Sequence, residues 1–270
     1  MDRTWQHGML KKSGESNYEH QRSERSEIRV LWHKNKKNII YTEAFSSDGA
    51  IAVKNHLDYY LSPLIQDCFD MQYNGAYVWY GPWEQHMRKV ISIFMLKGDQ
   101  GILEWGYNFD FLPELKSNRF WYFRTEKQIK AQFRDMPKPF VELAPGEQWK
   151  KYLIPMHGDS VRQLEKWIRA VWKQTCPDIR NFFQSIHSME SILMELNARI
   201  EQQKNTKALT YYSMMAPESL YIKAFILAYL GEEAQAIDCM EHTNTYRHTT
   251  EENRQKLIQK LKELQHDTGS

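Results

Sequence analysis

The pattern of hydrophobic and polar positions divides the chain into a polar start, an aromatic-rich middle and a helical final part. Residues 1–26 show almost no apolar periodicity, and no aliphatic side chain occurs between Ser13 and Ser26. A segment that buries so little apolar surface cannot offset the entropy lost on ordering. Residues 1–26 are therefore predicted to be a mobile tail.

Residues 27–140 show patterns of both strands and helices. Two β-rich runs, Ile28–Trp32 and Ile39–Phe45, flank a polar stretch, which favours a hairpin. Apolar residues between 50 and 65 then recur near the 3.6-residue period of a helix. Pro63 lies inside this pattern and should kink or restart the helix, since proline lacks the backbone N–H that a helix interior requires.

Further strands are predicted in the same region. Ala76–Tyr80 reads as one strand, and Lys89–Leu96 and Gly101–Asn108 read as a hairpin around a loop of turn-forming residues. Arg119–Thr125 is rich in aromatic residues, which suit a half-buried pleated surface, and is predicted as another strand. A short helix that carries Phe133 should follow it.

The last part of the chain is predicted to be helical. The strand pattern ends at Pro137, and residues 141–158 are expected to connect two domains. Residues 159–266 show helical periodicity, with a new helix expected at Pro177 and a helix end at Gly231. The fold class predicted is α+β: a mainly antiparallel sheet with flanking helices, followed by an all-helical C-terminal region.

Aromatic residues are unusually abundant, with 9 Trp, 15 Tyr and 12 Phe, and they concentrate between Tyr73 and Phe123. Such residues commonly fill a sheet–helix interface. Four consecutive aromatics at 120–123 must however divide between the two faces of a strand, so part of the cluster could form an exposed binding surface. The candidate binding residues in this region are Trp79, Trp83, Trp105, Trp121 and Phe123.

Composition favours a soluble cytoplasmic protein. Hydrophobic residues make up 41% and charged residues 26%, as in ordinary globular domains. No apolar run approaches the roughly 20 residues that span a bilayer, so no membrane partner is expected. The three scattered cysteines do not form a disulfide framework, which fits a reducing compartment.

Charge leaves a nucleic-acid partner open as an alternative. The net charge of +2 is too small to require one. The local excess of positive charge comes mainly from Lys34, Lys36 and Lys37, which lie between the first two predicted strands. A solvated turn explains these lysines, and contact with a phosphate backbone is the alternative.

The sequence contains no recognised catalytic, nucleotide or metal-binding motif, and no cofactor is expected. His86, His157 and Asp159 are the residues to test if the chain is an enzyme of unrecognised type. Asp159 or Ser160 is explained by capping of the helix that follows.

Several short motifs between residues 55 and 140 resemble an uncharacterised bacterial family, domain of unknown function 4304. These are Leu61–Ser62–Pro63–Leu64, Val78–Trp79, Lys97–Gly98 and Glu104–Trp105–Gly106. The resemblance implies a small α+β domain and no assigned chemistry.

The function predicted from these observations is that of a non-enzymatic cytosolic module that binds another protein through an aromatic surface, in an immunity-type or accessory role. The alternatives are a nucleic-acid-binding protein that uses the basic hairpin and the aromatic sheet, and an enzyme of unrecognised type.

Overall fold

The computed structural model describes residues 51–96, 100–116, 119–142, 146–205, 218–243 and 250–268. All of them belong to one compact unit that spans residues 44–270. The predicted tail, the first hairpin and its three lysines, Lys34, Lys36 and Lys37, lie outside the described residues.

The strands found in this part of the chain are β1 (Ile51–Ala52), β2 (Gln72–Tyr73), β3 (Val78–Tyr80), β4 (Met87–Leu96), β5 (Gln100–Phe109), β6 (Glu114–Lys116), β7 (Arg119–Trp121), β8 (Phe133–Asp135), β9 (Leu153–Pro155) and β10 (His157–Gly158). A six-stranded antiparallel sheet has the order β2-β3-β4-β5-β8, and β9 also pairs with β5. Two small antiparallel pairs, β1 with β10 and β6 with β7, complete the strands.

The β4–β5 hairpin is the centre of the sheet, and it confirms the hairpin predicted from sequence. Its register runs without interruption from Met87 opposite Phe109 to Leu96 opposite Gln100. Gly106 lets β8 approach β5 closely, because a Cβ atom there would lie 2.0 Å from the carbonyl oxygen of Phe133.

The helices in the described residues are α1 (Leu57–Tyr60), α2 (Ser62–Phe69), α3 (Lys138–Val141), α4 (Gly146–Trp149), α5 (Val161–Ser185), α6 (Met189–Asn205), α7 (Ser219–Tyr229), α8 (Glu233–Glu241) and α9 (Glu251–Thr268). Short 3₁₀ turns occupy Val53–Asn55 and Lys150–Tyr152. The predicted fold class is confirmed: an antiparallel sheet with flanking helices, followed by a helical C-terminal region. Among the described residues, every helix is too short or too polar to cross a membrane.

Most of the predicted helix boundaries have a visible physical cause. The first helix restarts as α2 at Ser62, with Pro63 in its first turn. Ser160 caps α5, since its Oγ accepts a hydrogen bond from the backbone N–H of Gln163 at 3.2 Å. Helix α7 ends before Gly231, which has a φ of 86° and donates its N–H to the carbonyl of Ala228.

The prediction that a new helix begins at Pro177 is wrong. Helix α5 continues through Pro177 to Ser185. The buried stripe keeps its phase across the proline, with Ile168 and Val171 before it and Ile179 after it. Burial of one continuous apolar face therefore compensates for the hydrogen bond that proline cannot make.

The short helix predicted to carry Phe133 is also absent. Phe133 begins β8 and pairs with Tyr107 of β5. Residues 122–132 instead form an irregular segment in which Thr125 and Gln128 define a turn. Pairing with a free edge of the sheet and burial of Phe133 outweigh the weak local helical preference.

Residues 141–158, expected to connect two domains, contribute strands to two of the sheets described above. They include β9, which lies along β5, and β10, which pairs with β1.

One large hydrophobic core extends from Val53 to Leu261 and joins one face of the six-stranded sheet to the helices. A small second core of Tyr80, Val90, Ile129 and Ala131 lies on the other face. The two sheet faces are therefore covered differently: one by helices, the other by the irregular segment that follows β7.

Candidate functional site

Two of the tryptophans predicted to bind a partner are core residues, so this part of the prediction is wrong. Trp79 is 0% exposed and Trp105 is 2% exposed. Both lie in one cross-strand row, in which Ile91 separates them. That row belongs to the face that the helices cover, and the indole N–H of Trp79 donates to Ser62 Oγ of α2 at 2.8 Å.

The other predicted aromatics lie at or near the surface. Trp83 is 37% exposed and Trp121 is 46% exposed, while Phe123 is partly buried. Alternation in β7 explains the result for Trp121. Arg119 and Trp121 point outward, whereas Phe120 between them packs against the large core.

Trp121 and Phe123 line a shallow groove, which we call the aromatic groove. It has a volume of about 320 Å³ and is formed by Trp121, Tyr122, Phe123, Gln128 and Ile129. Tyr122 was not among the predicted binding residues. This volume is at the lower end of the range of about 300–1,000 Å³ for small-ligand pockets, so the groove can accept a few side chains.

The aromatic groove is fixed to the sheet by a buried arginine. Arg88 of β4 is 3% exposed, and its Nη2 donates to the carbonyl oxygen of Phe123 at 3.0 Å. Its Nε donates to Oδ1 of Asn108, its cross-strand neighbour on β5, at 3.0 Å. Burial lowers the pKa of the Arg88 guanidinium, and the nearby Tyr80 and Glu126 act in the opposite direction.

The polar contacts continue from Asn108 to Gln132, which are both buried. Asn108 Nδ2 donates to Gln132 Oε1 at 2.9 Å, and the backbone N–H of Phe109 donates to the same oxygen at 2.9 Å. Gln132 Nε2 donates to the carbonyl of Leu112 at 2.8 Å. These bonds hold Gln132, three residues after Ile129 of the aromatic groove, against the end of β5.

Trp83 is linked to the aromatic groove through the same arginine. The Arg88 guanidinium carbon lies 4.2 Å from the centre of the Trp83 ring and 5.4 Å from that of Tyr80. The Trp83 ring thus covers the guanidinium from the solvent side. Sequence analysis missed Arg88, Asn108 and Gln132. The available signal was that Arg88 directly precedes the predicted strand Lys89–Leu96 and Asn108 ends its predicted partner, which places both residues at the same end of the hairpin.

Positive charge is concentrated in the segment that forms the aromatic groove. Exposed Arg119, Arg124 and Lys127 lie in the segment that forms it, and Glu126 is the single carboxylate between residues 119 and 130. Arg124 stacks on Tyr122, with its guanidinium carbon 4.3 Å from the ring centre. The Lys130 amine pairs with Glu114 at 2.5 Å, so its charge is largely compensated.

A second concavity, which we call the helix cleft, lies between β8 and helices α3, α5 and α6. Its volume is about 620 Å³, and its wall includes Trp105, Asp135, Asp178, Glu195 and Arg199. Arg199 bonds to Glu195 at 2.8 Å and lies 3.7 Å from Asp135. Burial, followed by the proximity of Asp135, raises the pKa of Asp178. Arg199 thus engages two of the four carboxylates in this wall, which also includes Glu142.

The residues considered for catalysis occur in separate elements. His86 Nδ1 lies 3.1 Å from Asp110 at the start of β4, and its ring contacts Tyr229 of α7. His157 lies in β10, and Asp159 precedes α5. In the described part of the chain, no group of three or more His, Cys, Asp or Glu side chains is arranged to hold a metal ion.

Comparisons with protein families, with curated proteins and with solved structures found no match to this chain. The resemblance of residues 55–140 to domain of unknown function 4304 therefore stays a prediction.

Proposed function

We propose that this chain is a binding protein, and that its aromatic groove recognises an extended, acidic segment of a partner protein. The observation that carries the proposal is the exposure of Trp121 at the rim of a groove with an aromatic wall and a rigid support. Aromatic and arginine side chains provide most of the binding energy in many protein interfaces. Both types are present here, with Trp121 and Tyr122 in the groove and Arg124 stacked on Tyr122 beside it.

The charge around the groove indicates the chemistry of the partner. Exposed Arg119, Arg124 and Lys127 exceed the single carboxylate of Glu126 in the same segment. An acidic peptide would therefore be attracted and oriented, while an aromatic or aliphatic side chain of that peptide enters the groove. The small volume of the groove favours a short linear segment over a large ligand.

Pre-organisation supports this role. The Arg88–Phe123 hydrogen bond and the Asn108–Gln132 contacts fix the groove wall to the central hairpin. A site held on a rigid element loses less conformational entropy when it binds a ligand. An accessory or immunity-type role in the cytosol fits a binding module whose three cysteines are free thiols.

Selection from a displayed library of random 12-residue peptides, with the full-length chain as bait, tests the proposal. Enriched peptides should combine acidic residues with an aromatic or aliphatic residue. Fluorescence anisotropy with these peptides should show Trp121→Ala and Phe123→Ala weakening binding about tenfold or more, the loss expected when a central aromatic contact is removed. Tyr59→Ala is the matched control, because Tyr59 is an exposed aromatic on α1.

Equal affinity of wild type and Trp121→Ala for the enriched peptides would overturn the proposal. A single-stranded oligothymidine probe distinguishes the nucleic-acid alternative. If this probe binds in a Trp121-dependent and strongly salt-dependent manner while no peptide is enriched, the groove is a nucleic-acid site instead.

A further inference from the structure

Two cysteines from separate helices meet on the side of the sheet that the helices cover. Cys68 lies near the end of α2 and Cys176 lies within α5, and their Sγ atoms are 3.8 Å apart. Both are free thiols, as is Cys239 of α8. Because a disulfide bond is about 2.05 Å long, the two sulfurs need to approach by roughly 1.8 Å to form one.

Aromatic packing holds the two helices together on both sides of the cysteine pair. The ring of Phe69, the residue after Cys68, contacts Trp172 edge-to-face at 6.1 Å and Phe183 at 5.6 Å. These residues precede and follow Cys176 on α5. Pro177 directly after Cys176 removes one helix hydrogen bond, which gives the backbone local freedom for the remaining approach.

The two thiols have different surroundings. Cys68 is partly exposed, and Nη2 of Arg180 lies 3.8 Å from its sulfur. Arg180 lies one helical turn after Cys176, so its guanidinium is placed to stabilise negative charge on Cys68 Sγ during a reaction. Cys176 is 9% exposed, and burial, together with the proximity of Cys68, raises the pKa of its thiol to about 11.

We propose that Cys68 and Cys176 form a site of reversible disulfide formation, which reacts with oxidised low-molecular-weight disulfides. Cys68, the accessible thiol, attacks first. Cys176 resolves the resulting mixed disulfide.

The exchange proceeds in two balanced steps. Cys68 loses its proton, and its sulfur attacks one sulfur of the small disulfide, which forms a mixed disulfide and releases one small thiolate. Cys176 then loses its proton and attacks Cys68 Sγ, which forms the protein disulfide and releases the second small thiolate. The two released thiolates take up the two protons. The two protein thiols are oxidised, and the small disulfide is reduced to two thiols.

The distance between the sulfurs makes the second step favourable in spite of the high pKa of Cys176. A neighbouring group held within contact distance reacts as if it were present at a very high concentration. The product would close a loop between positions 68 and 176, which are 108 residues apart and span most of the sheet. A cross-link over so long a loop should raise the melting temperature of the oxidised protein by about 5 °C or more.

The test uses the full-length chain incubated with oxidised glutathione, followed by alkylation of the remaining thiols and tryptic digestion without reduction. Cleavage after Lys and Arg places Cys68 in residues 55–88, Cys176 in residues 174–180 and Cys239 in residues 224–247. The proposal expects a cross-linked peptide that joins 55–88 to 174–180. It also expects an alkylated peptide 224–247, and reversal of the cross-link by dithiothreitol.

Variants separate the two roles. Cys176→Ser should retain glutathione on Cys68, because no thiol resolves the mixed disulfide. Cys68→Ser should leave Cys176 alkylated and free of glutathione. Cys239→Ser is the matched control and should form the cross-link as wild type does. Alkylation of both Cys68 and Cys176 in the wild type, or glutathione retained on Cys68 without any cross-linked peptide, would overturn the proposal. Peptide binding at the aromatic groove is measured independently, so failure of one proposal does not imply failure of the other.

Discussion

Replacement of Arg88 by methionine tests whether this side chain supports the aromatic groove. Methionine keeps an unbranched chain of similar length in the buried position but removes the guanidinium. Two hydrogen bonds would be lost, one to Asn108 Oδ1 and one to the carbonyl of Phe123, each at 3.0 Å. The contact with the Trp83 ring would also lose its charge.

The expected loss of unfolding free energy depends on which polar groups stay buried without a hydrogen-bond partner. Asn108 is 0% exposed, and its Nδ2 is already bonded to Gln132, so its Oδ1 cannot turn toward water without breaking that bond. An orphaned buried acceptor costs about 1–3 kcal/mol. Phe123 is only partly buried, so its carbonyl can bind water at a lower cost. Removal of the desolvated guanidinium offsets part of the loss. We expect Arg88→Met to destabilise the fold by about 1–3 kcal/mol.

A double-mutant cycle with Asn108→Leu isolates the contact. Gln132 keeps two bonds in that variant, because Phe109 N–H still donates to its Oε1 and its Nε2 still donates to Leu112. The double variant Arg88→Met/Asn108→Leu leaves no orphaned Oδ1 and should be more stable than the sum of the two single effects by about 1–2 kcal/mol. Urea unfolding followed by tryptophan fluorescence gives the four free energies of unfolding.

Additivity of the two single effects to within about 0.5 kcal/mol would contradict this prediction, since it would mean that the two side chains do not interact. A groove-binding peptide should also lose affinity for Arg88→Met even where the protein is fully folded. Unchanged affinity would show that the groove does not depend on this support.

Three further predictions concern the stability of the sheet. Trp79→Ala should cost about 3–5 kcal/mol of unfolding free energy because Trp79 is fully buried, whereas Trp121→Ala should cost less than about 1 kcal/mol in the same urea titration. Gly106→Ala should cost about 3 kcal/mol or more, since the added Cβ would meet the Phe133 carbonyl at 2.0 Å. Gly81→Ala, whose added Cβ would lie 3.8 Å from Cβ of Lys89, should shift the melting temperature by no more than about 2 °C. Burial raises the pKa of Tyr107, so this residue stabilises the fold below the unfolded-state pKa of about 10 and loses that contribution as the pH rises further. Tyr107→Phe, which also loses the bond to the Ile186 carbonyl, should be less stable than wild type at pH 8, and a gap that fails to narrow toward pH 11 would contradict the assignment.

Sequence patterns correctly predicted the elements that are determined by residues close together in the chain. The β4–β5 hairpin follows from alternation around a turn, the start of α2 from Pro63, and the end of α7 from Gly231. These features depend on the period of apolar residues and on backbone chemistry within a few positions.

The elements that sequence reasoning misplaced depend on long-range packing. Pro177 has the local signature of a helix start, yet the apolar stripe of α5 runs through it without a change of phase. Phe133 forms a strand because it pairs with an open edge of β5, and no local sequence pattern indicates that this edge is present.

Only part of the candidate site could be predicted for the same reason. The alternation of Arg119, Phe120 and Trp121 indicates that some aromatics face outward, and Trp121 does. Trp79 and Trp105 are buried instead, because they lie on the face of the sheet that the helices cover. That information lies in residues far along the chain, so the aromatic content alone could not separate core from surface.

The late pairing of β9 with β5 and of β10 with β1 affects how the protein folds during synthesis. Strand β1 begins at Ile51, but its partner β10 lies more than a hundred residues later, and helices α5 and α6, which line the cleft beside Trp105, follow β10. On the ribosome, α1 and α2 precede the central hairpin, but the part of its aromatic face around Trp105 would stay uncovered until α5 has been synthesised. Exposed apolar sheet surface of this kind promotes aggregation. Truncation anywhere before α5 should therefore yield insoluble protein rather than an isolated sheet domain.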